Sequence, residues 1–390
     1  MEAEVIKGLK KSSIDGSQPL DIGLVFSGGG SRAAYQVGAL KALIPYLLKK
    51  SNNISVVVGS SIGAINSLII GATYKGDISY SVELLESLWR ERTYRNSFEG
   101  SPSKAFIKAI QVGFIQYFSQ RPGPNATNRS IFNPSPLEKR VDEVIDAHGG
   151  LSLSARSSLI KSVAVMTTLE GPERKPLLIA SSTNKLNEEE LAGASFDILY
   201  MDRLHAKHGL ASAALPSVLP PVELNLETHT VKLVDGGICD NIPVDPAARL
   251  GARDILIFDA SGRKWWCDVY NEPYYSKSSW EVLSKTSTFC HCPPRLTEFR
   301  NTIGLGTILK ETVGKSTKSF IQALGPTWPI FRLLKHSMGE TLAYEVMSYA
   351  ALHHDYIDAL LEQGYNDAKE IIAKQELHFN GFSDDHGIAA

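Results

Sequence analysis

Twice near its start the chain passes from a short apolar run, through a turn of glycine and serine, into a stripe of apolar residues at helical spacing. DIGLVFS (21–27) runs into Gly28-Gly29-Gly30-Ser31-Arg32, and from Arg32 to Leu48 the residues Ala34, Val37, Leu40, Leu43 and Leu47 approximate one helix face, with Pro45 as a kink. ISVVV (54–58) then runs into Gly59-Ser60-Ser61-Ile62-Gly63, followed by an apolar helix from about Ser61 to Ala72. Strand, helix, strand, helix with short connections is the pattern of a mostly parallel sheet covered on both faces. Further strands are expected at 162–168, 176–181, 231–235 and 254–261, with a helix over 201–213 and a long one over 341–374 broken near Gly364. Residues 1–20 read as a loose polar segment, and 262–340 as irregular. The stretch 97–136 carries Pro102, Pro122, Pro124, Pro134 and Pro136 around AFIKAIQVGFIQYF (105–118), and reads as a lid or as ordinary helix packing.

Three turns carry chemistry. Gly59-Ser60-Ser61-Ile62-Gly63 is a G-x-S-x-G sequence between a strand and a helix, the setting of a sharp elbow with Ser61 at its apex. Ser61 would project from the sheet's C-terminal edge, beside the positive end of the following helix. On spacing alone the motif is weak, and a plain glycine/serine turn explains it equally well. Gly28-Gly29-Gly30 can aim backbone N–H groups into one concavity, suited to a phosphate or to the oxyanion of an acyl-transfer intermediate. Ala33 replaces the glycine a dinucleotide fingerprint requires and no Gly-Lys-Ser/Thr follows, which excludes a P-loop. Arg32 fits either this site or a helix-terminal ion pair. Asp235-Gly236-Gly237 follows VKLV, so Asp235 can approach the same edge as Ser61, or simply close an Asp-Gly turn. A buried carboxylate with a raised pKa, touching a serine hydroxyl, is a serviceable base. The three turns together make a serine acyl hydrolase constellation.

An α/β-hydrolase would place several strands before its elbow and a catalytic histidine late in the chain. Only one convincing strand precedes Ser61, and His205, His208, His353 and His354 sit in helical settings that read as surface or structural positions. A dyad of Ser61 and Asp235 without histidine fits better.

On GGGSRAAYQVGAL (28–40), GSSIGAIN (59–66), ASAALP (211–216) and DGG (235–237), in that order, the chain resembles the patatin-like phospholipase family, over about residues 21–262. The resemblance implies a three-layer α/β/α fold with a mostly parallel central sheet. It also implies metal-independent hydrolysis of lipid acyl esters, with no cofactor. Ser61 would be the nucleophile and Asp235 its proton acceptor, with Gly28, Gly29 and Gly30 as the oxyanion hole, supported by Arg32, Gly59, Gly63, Gly236 and Gly237. Ala33 departs from the family's glycine, which matters only if its φ must be positive. ASAALP also has a plainer reading, small residues closing a helix at Pro216. A catalytic domain over 21–262 would thus be followed by a helical and irregular extension, 263–390, packing on it. Phospholipase A or lysophospholipase activity is the leading expectation. Acyl transfer, thioester hydrolysis by the same dyad, and a lipid-binding regulatory protein without turnover are the alternatives.

With 40 Lys+Arg against 42 Asp+Glu, the chain lacks the charge that would favour nucleic acid as a partner. Cys239, Cys267, Cys290 and Cys292 are too few for a disulfide framework, and Cys290-His291-Cys292 lacks the spacing of common zinc sites. No run has signal-peptide or membrane-spanning character, so the expectation is a cytoplasmic protein that meets a membrane, if at all, from its surface, with Trp265-Trp266 and Tyr274-Tyr275 as candidate anchors. The acceptor sequences at Asn125 and Asn128 say little on that reading.

Overall fold

A computed structural model describes residues 20–48, 52–99, 130–153, 159–171, 174–216, 218–226, 229–262 and 294–374. The apolar segment 105–118, Asn125 and Asn128, the aromatic pairs at 265–266 and 274–275, Cys267, Cys290-His291-Cys292 and nearly all of the N-terminal segment 1–20 lie outside the described residues.

The strands are β1 (Leu20–Phe26), β2 (Asn52–Ser60), β3 (Ser162–Leu169), β4 (Lys175–Ser182), β5 (Asp197–Tyr200), β6 (Val222–Asn225), β7 (Thr230–Asp235), β8 (Asp254–Asp259) and β9 (Arg295–Arg300). They form one sheet in the spatial order β5-β4-β3-β2-β1-β8-β9, with β7 added to β3 and β6 to β7. The run from β9 to β3 is parallel throughout, as is β4 with β5; β3 pairs antiparallel with both β4 and β7, and β6 with β7. The longer helices are α1 (Ala34–Ala42), α2 (Ile62–Thr73), α3 (Ile78–Glu91), α4 (Ser135–Ala147), α5 (Ala206–Ser212), α6 (Val244–Arg249), α7 (Leu305–Thr312), α8 (Thr317–Leu324), α9 (Trp328–Met338), α10 (Glu340–Met347) and α11 (His354–Ala373).

Central strands read as continuous apolar runs because both of their faces are buried. In β1, Ile22, Leu24 and Phe26 enter the large core beneath the N- and C-terminal helices, while Val25 joins Val56, Val58, Ile255 and Ile257 in a smaller core closed by α6. On the large-core face, Phe26, Phe258 and Phe299 stack across β1, β8 and β9 with ring centroids 4.9 and 5.4 Å apart. Helices on both faces of this mostly parallel sheet give the three-layer architecture expected. Pro45 acts as anticipated: α1 stops at Ala42 and a short helix, Ile44–Leu47, restarts with the proline in its first turn.

Two segments differ from expectation. The region 262–340, expected to be irregular, contributes β9 and α7 to α9. RLTEFR escaped notice because β9 is a half-buried edge strand whose polar side chains pair locally, Arg295 with Asp254 at 2.9 Å and Arg300 with Glu298 at 3.0 Å. Nor does Gly364 break a helix: α11 runs through it, and the interruption falls instead at 348–353. Gly364 lies against the Tyr35 carbonyl and Gly38 of α1 against the Leu361 carbonyl, so the two glycines let α1 and α11 cross in backbone contact. The buried Tyr35 hydroxyl donates to Asp367 at 2.9 Å across the same crossing.

Candidate active site

Ser61 stands between β2 and α2 with φ 51° and ψ −131°, the one non-glycine residue with positive φ among the described residues. Such a conformation stores on the order of 1–3 kcal/mol and persists only where its surroundings enforce it. Here they do, because α2 is wedged against β1: a Cβ on Gly63 would strike the Phe26 and Ser27 carbonyls, and one on Gly59 would strike the Gly63 carbonyl. The elbow turns the Ser61 hydroxyl outward, where it donates to Asp235 Oδ2 at 2.7 Å.

Asp235 reaches the serine by a route that parallel-sheet reasoning does not anticipate. β3 extends past the end of β2, and β7 occupies the vacated edge from the opposite direction. Ser60, the last residue of β2, pairs with Met166, and Asp235, the last residue of β7, pairs with Thr167. The two strands therefore meet end to end along β3. Asp235 is fixed there on every side: its N–H donates to the Ala214 carbonyl at 3.0 Å, and its own carbonyl accepts from Thr168 Oγ1 at 2.9 Å. Oδ1 accepts the Gly237 N–H at 2.7 Å, and Gly236 lies flat on the Met166 carbonyl. Ala214 belongs to ASAALP, whose small residues bring the end of α5 close to the dyad. With only 5% of Asp235 exposed, burial pushes its carboxyl up to about 6, against the opposing pull of the Ser61 and Gly237 hydrogen bonds.

The third turn closes the site. A side chain on Gly28 would collide with Ser61 Cβ and Asn241. The Gly28 N–H is committed to the Asn241 carbonyl at 3.1 Å and the Ser31 N–H to the Tyr349 carbonyl at 2.8 Å. The N–H groups of Gly29 and Gly30, lining the same cavity as Ser61, have no acceptor among the described residues. Gly30 takes φ 57° where a Cβ would meet the Tyr349 carbonyl. Ala33 is helical, with φ −65°, so its departure from glycine carries no strain. Arg32 points away from the serine and is fully buried. Its guanidinium lies 2.6 Å from Glu345, donates to Ser348 Oγ at 2.7 Å and to the Ser261 carbonyl at 3.1 Å, and stacks 3.7 Å over the Tyr349 ring. Arg32 thus forms an ion pair, but a fully buried one and not the surface or helix-terminal pair considered from the sequence.

The glycine turn, Ser61, Asp235 and Asn241 line a cavity of about 750 Å³ whose remaining wall is largely apolar, including Phe98, Phe132, Leu210, Ile330, Met347 and Leu352. Sequence reasoning missed Asn241, whose only signal is an amide residue shortly after Asp-Gly-Gly. It also missed Glu345, Ser348 and Tyr349, which have no local signal at all. No histidine lines the cavity among the described residues. His208 is buried in α5 with its ring pushed down to about 4, chiefly by burial and then by the nearby Lys207; His353 caps α11.

A family profile described as "Patatin-like phospholipase" matches residues 24–248, more than half of the chain. No curated relative matches it. Among solved structures, VipD from Legionella pneumophila is similar at 14% identity and a TM-score of 0.34, covering 91% of this chain and 67% of its own. Human GIVD cytosolic phospholipase A2 is similar at 13% identity and a TM-score of 0.33, covering 90% of this chain; the present chain spans only 60% of its length.

Proposed function

Because this chain belongs to the patatin-like phospholipase family, we propose that it is a lipid acyl hydrolase that cleaves carboxylic esters through a Ser61 acyl-enzyme with Asp235 as general base. The observation that carries the reading is the 2.7 Å hydrogen bond from the Ser61 hydroxyl to a buried carboxylate, made on the wall of an apolar cavity large enough for an acyl chain.

With its carboxyl raised to about 6, Asp235 is ionised at neutral pH yet basic enough to share a proton with an attacking hydroxyl. Ser61 Oγ adds to the ester carbonyl carbon as its proton passes to Asp235 Oδ2. The carbonyl π pair moves onto oxygen, toward the uncommitted Gly29 and Gly30 amides, with the N-terminus of α2 adding its positive end. Gly28, whose amide is already engaged, serves instead to keep that turn against Ser61. Collapse of the tetrahedral adduct breaks the bond to the alcohol, which leaves with the proton from Asp235. Water then attacks the acyl-enzyme, gives a proton to Asp235, and the second collapse releases the fatty acid and returns the proton to Ser61.

No helix among the described residues is long and apolar enough to cross a membrane. The proposed reaction invokes no metal or cofactor. A fluorophosphonate probe tests the assignment: covalent labelling that maps to Ser61, and is lost together with ester hydrolysis in Ser61→Ala, is the expected result. Full hydrolysis by Ser61→Ala would overturn it.

A further inference from the structure

Among the described residues lining the active-site cavity, two carry charge: Asp235, which the proposed chemistry uses, and Arg92, which it does not. Arg92 follows the end of α3, and its guanidinium lies 4.6 Å from the Trp89 ring centroid. Its Nε is out of contact with solvent and has no hydrogen-bond partner. The carboxylates around it are engaged elsewhere. Glu91 and Glu143, which line the adjoining cleft with it, both pair with Arg140, at 3.3 and 3.7 Å. Arg92 is also shared with a smaller adjoining cleft, so it stands where the apolar chamber meets a charged rim.

Arg92 is half-buried, and for its Nε, which is removed from water, desolvation is not offset by a partner. Burial lowers its pKa to about 10, which still leaves it charged at neutral pH. Its orientation is fixed from beneath: Trp89, 3% exposed, donates its indole N–H to Asn66 Oδ1 at 3.0 Å, which holds the ring face toward the cation. A fixed, planar, donor-rich cation on the wall of an acyl-ester site matches a tetrahedral oxyanion set a short distance from an ester, and in lipids that group is a phosphate.

We propose that Arg92 binds the phosphate of a phospholipid substrate and thereby selects phosphate-bearing lipids over neutral glycerides. The proposal rests on the hydrolase reading of Ser61 and Asp235. It assigns Arg92 a recognition role only, with no part in proton transfer.

The test compares kcat/KM on a short-chain phosphatidylcholine and on a diacylglycerol with the same acyl chains, both kept monomeric, using the full chain. Arg92→Gln is expected to lower the ratio of the two values by about tenfold or more, mainly through KM for the phospholipid. Arg92→Lys, which keeps the charge but not the fork, is expected to recover part of it. Should Arg92→Gln fail to fold, Arg92→Lys decides: an unchanged ratio overturns the proposal, as does an equal fall on both substrates in either variant. A second measurement needs no turnover. In the Ser61→Ala background, lysophosphatidylcholine binding, followed by tryptophan fluorescence, should weaken about tenfold on adding Arg92→Gln. Monoacylglycerol binding should move far less. Inorganic phosphate binding as tightly as the lysolipid would identify a free anion as the ligand and overturn the lipid assignment. Persisting hydrolysis in Ser61→Ala would instead sink the hydrolase reading and leave the binding result standing.

Discussion

The guanidinium of Arg32 and the carboxylate of Glu345 meet at 2.6 Å, with their side chains 0% and 1% exposed, across 313 residues of sequence. The pair ties the glycine turn beside Ser61 to α10, and Glu345 Oε2 also accepts the Gly306 N–H at 2.8 Å. The face that carries Ser61 and Asp235 is thus braced by a part of the chain beyond the family-matched residues 24–248.

Glu345→Gln is expected to destabilise the fold by about 3–5 kcal/mol, because it leaves the Arg32 charge buried and uncompensated. Urea denaturation measures that loss. In whatever fraction stays folded, kcat should fall more than KM rises, since a loosened turn misplaces the Gly29 and Gly30 amides; unchanged stability would contradict the bracing role.

Activity should depend on pH through Asp235. Its folded pKa of about 6 makes log kcat/KM rise by one decade per pH unit up to about 6 and flatten above it. Stability runs the other way. Between the ordinary carboxylate range and about 6 the folded state binds more protons than the unfolded one, so Asp235 makes stability fall as pH rises through that window, by a total on the order of 3 kcal/mol. Asp235→Asn retains an acceptor for the Gly237 N–H while removing the buried charge. It should be inactive, more stable than the parent at pH 7–8, and free of that slope; thermal denaturation across pH 4–8 checks the sign.

Ser61→Gly and Ser61→Ala should both abolish hydrolysis but differ in stability. At φ 51° glycine relieves the strain that alanine retains, so Ser61→Gly should be the more stable by about 1 kcal/mol. Equal melting temperatures would show that the elbow is not strained.

Gly364→Ala, a favourable change in an ordinary helix interior, should here cost about 1–3 kcal/mol, because the added methyl meets the Tyr35 carbonyl of α1. Gly38→Ala, facing the Leu361 carbonyl, should behave alike, and the double variant should be less than additive if both act on one crossing.

Where an element is buried on both faces, its composition announces it. LVF, VVV, VAVM and ILIF locate β1, β2, β3 and β8, and the glycine turns that end the first two locate Ser61 and the amides of residues 28–30. Asp235 was legible as the end of an apolar run, though the antiparallel entry of β7 was not, because a strand's composition does not say which way its neighbours run. β9 was hidden by the polar residues an edge strand needs. Asn241, Arg92 and Glu345 were hidden for a different reason. Asn241 and Glu345 find their partners in distant parts of the chain and Arg92 has no hydrogen-bond partner at its Nε, so no local period marks any of them.

Met166 and Thr167 are neighbours in the chain, and one fastens the end of β2 while the other fastens the end of β7. The spacing of Ser61 and Asp235 is therefore gauged by one peptide unit of β3, with α2 and Ala214 holding each residue at its end. Insertions or deletions in the connections between these elements, away from α2 and from 211–216, should remodel the walls of the chamber while the proposed reacting pair keeps its spacing. A single residue inserted within β3 would do the reverse, leaving the chamber intact and its chemistry out of gauge.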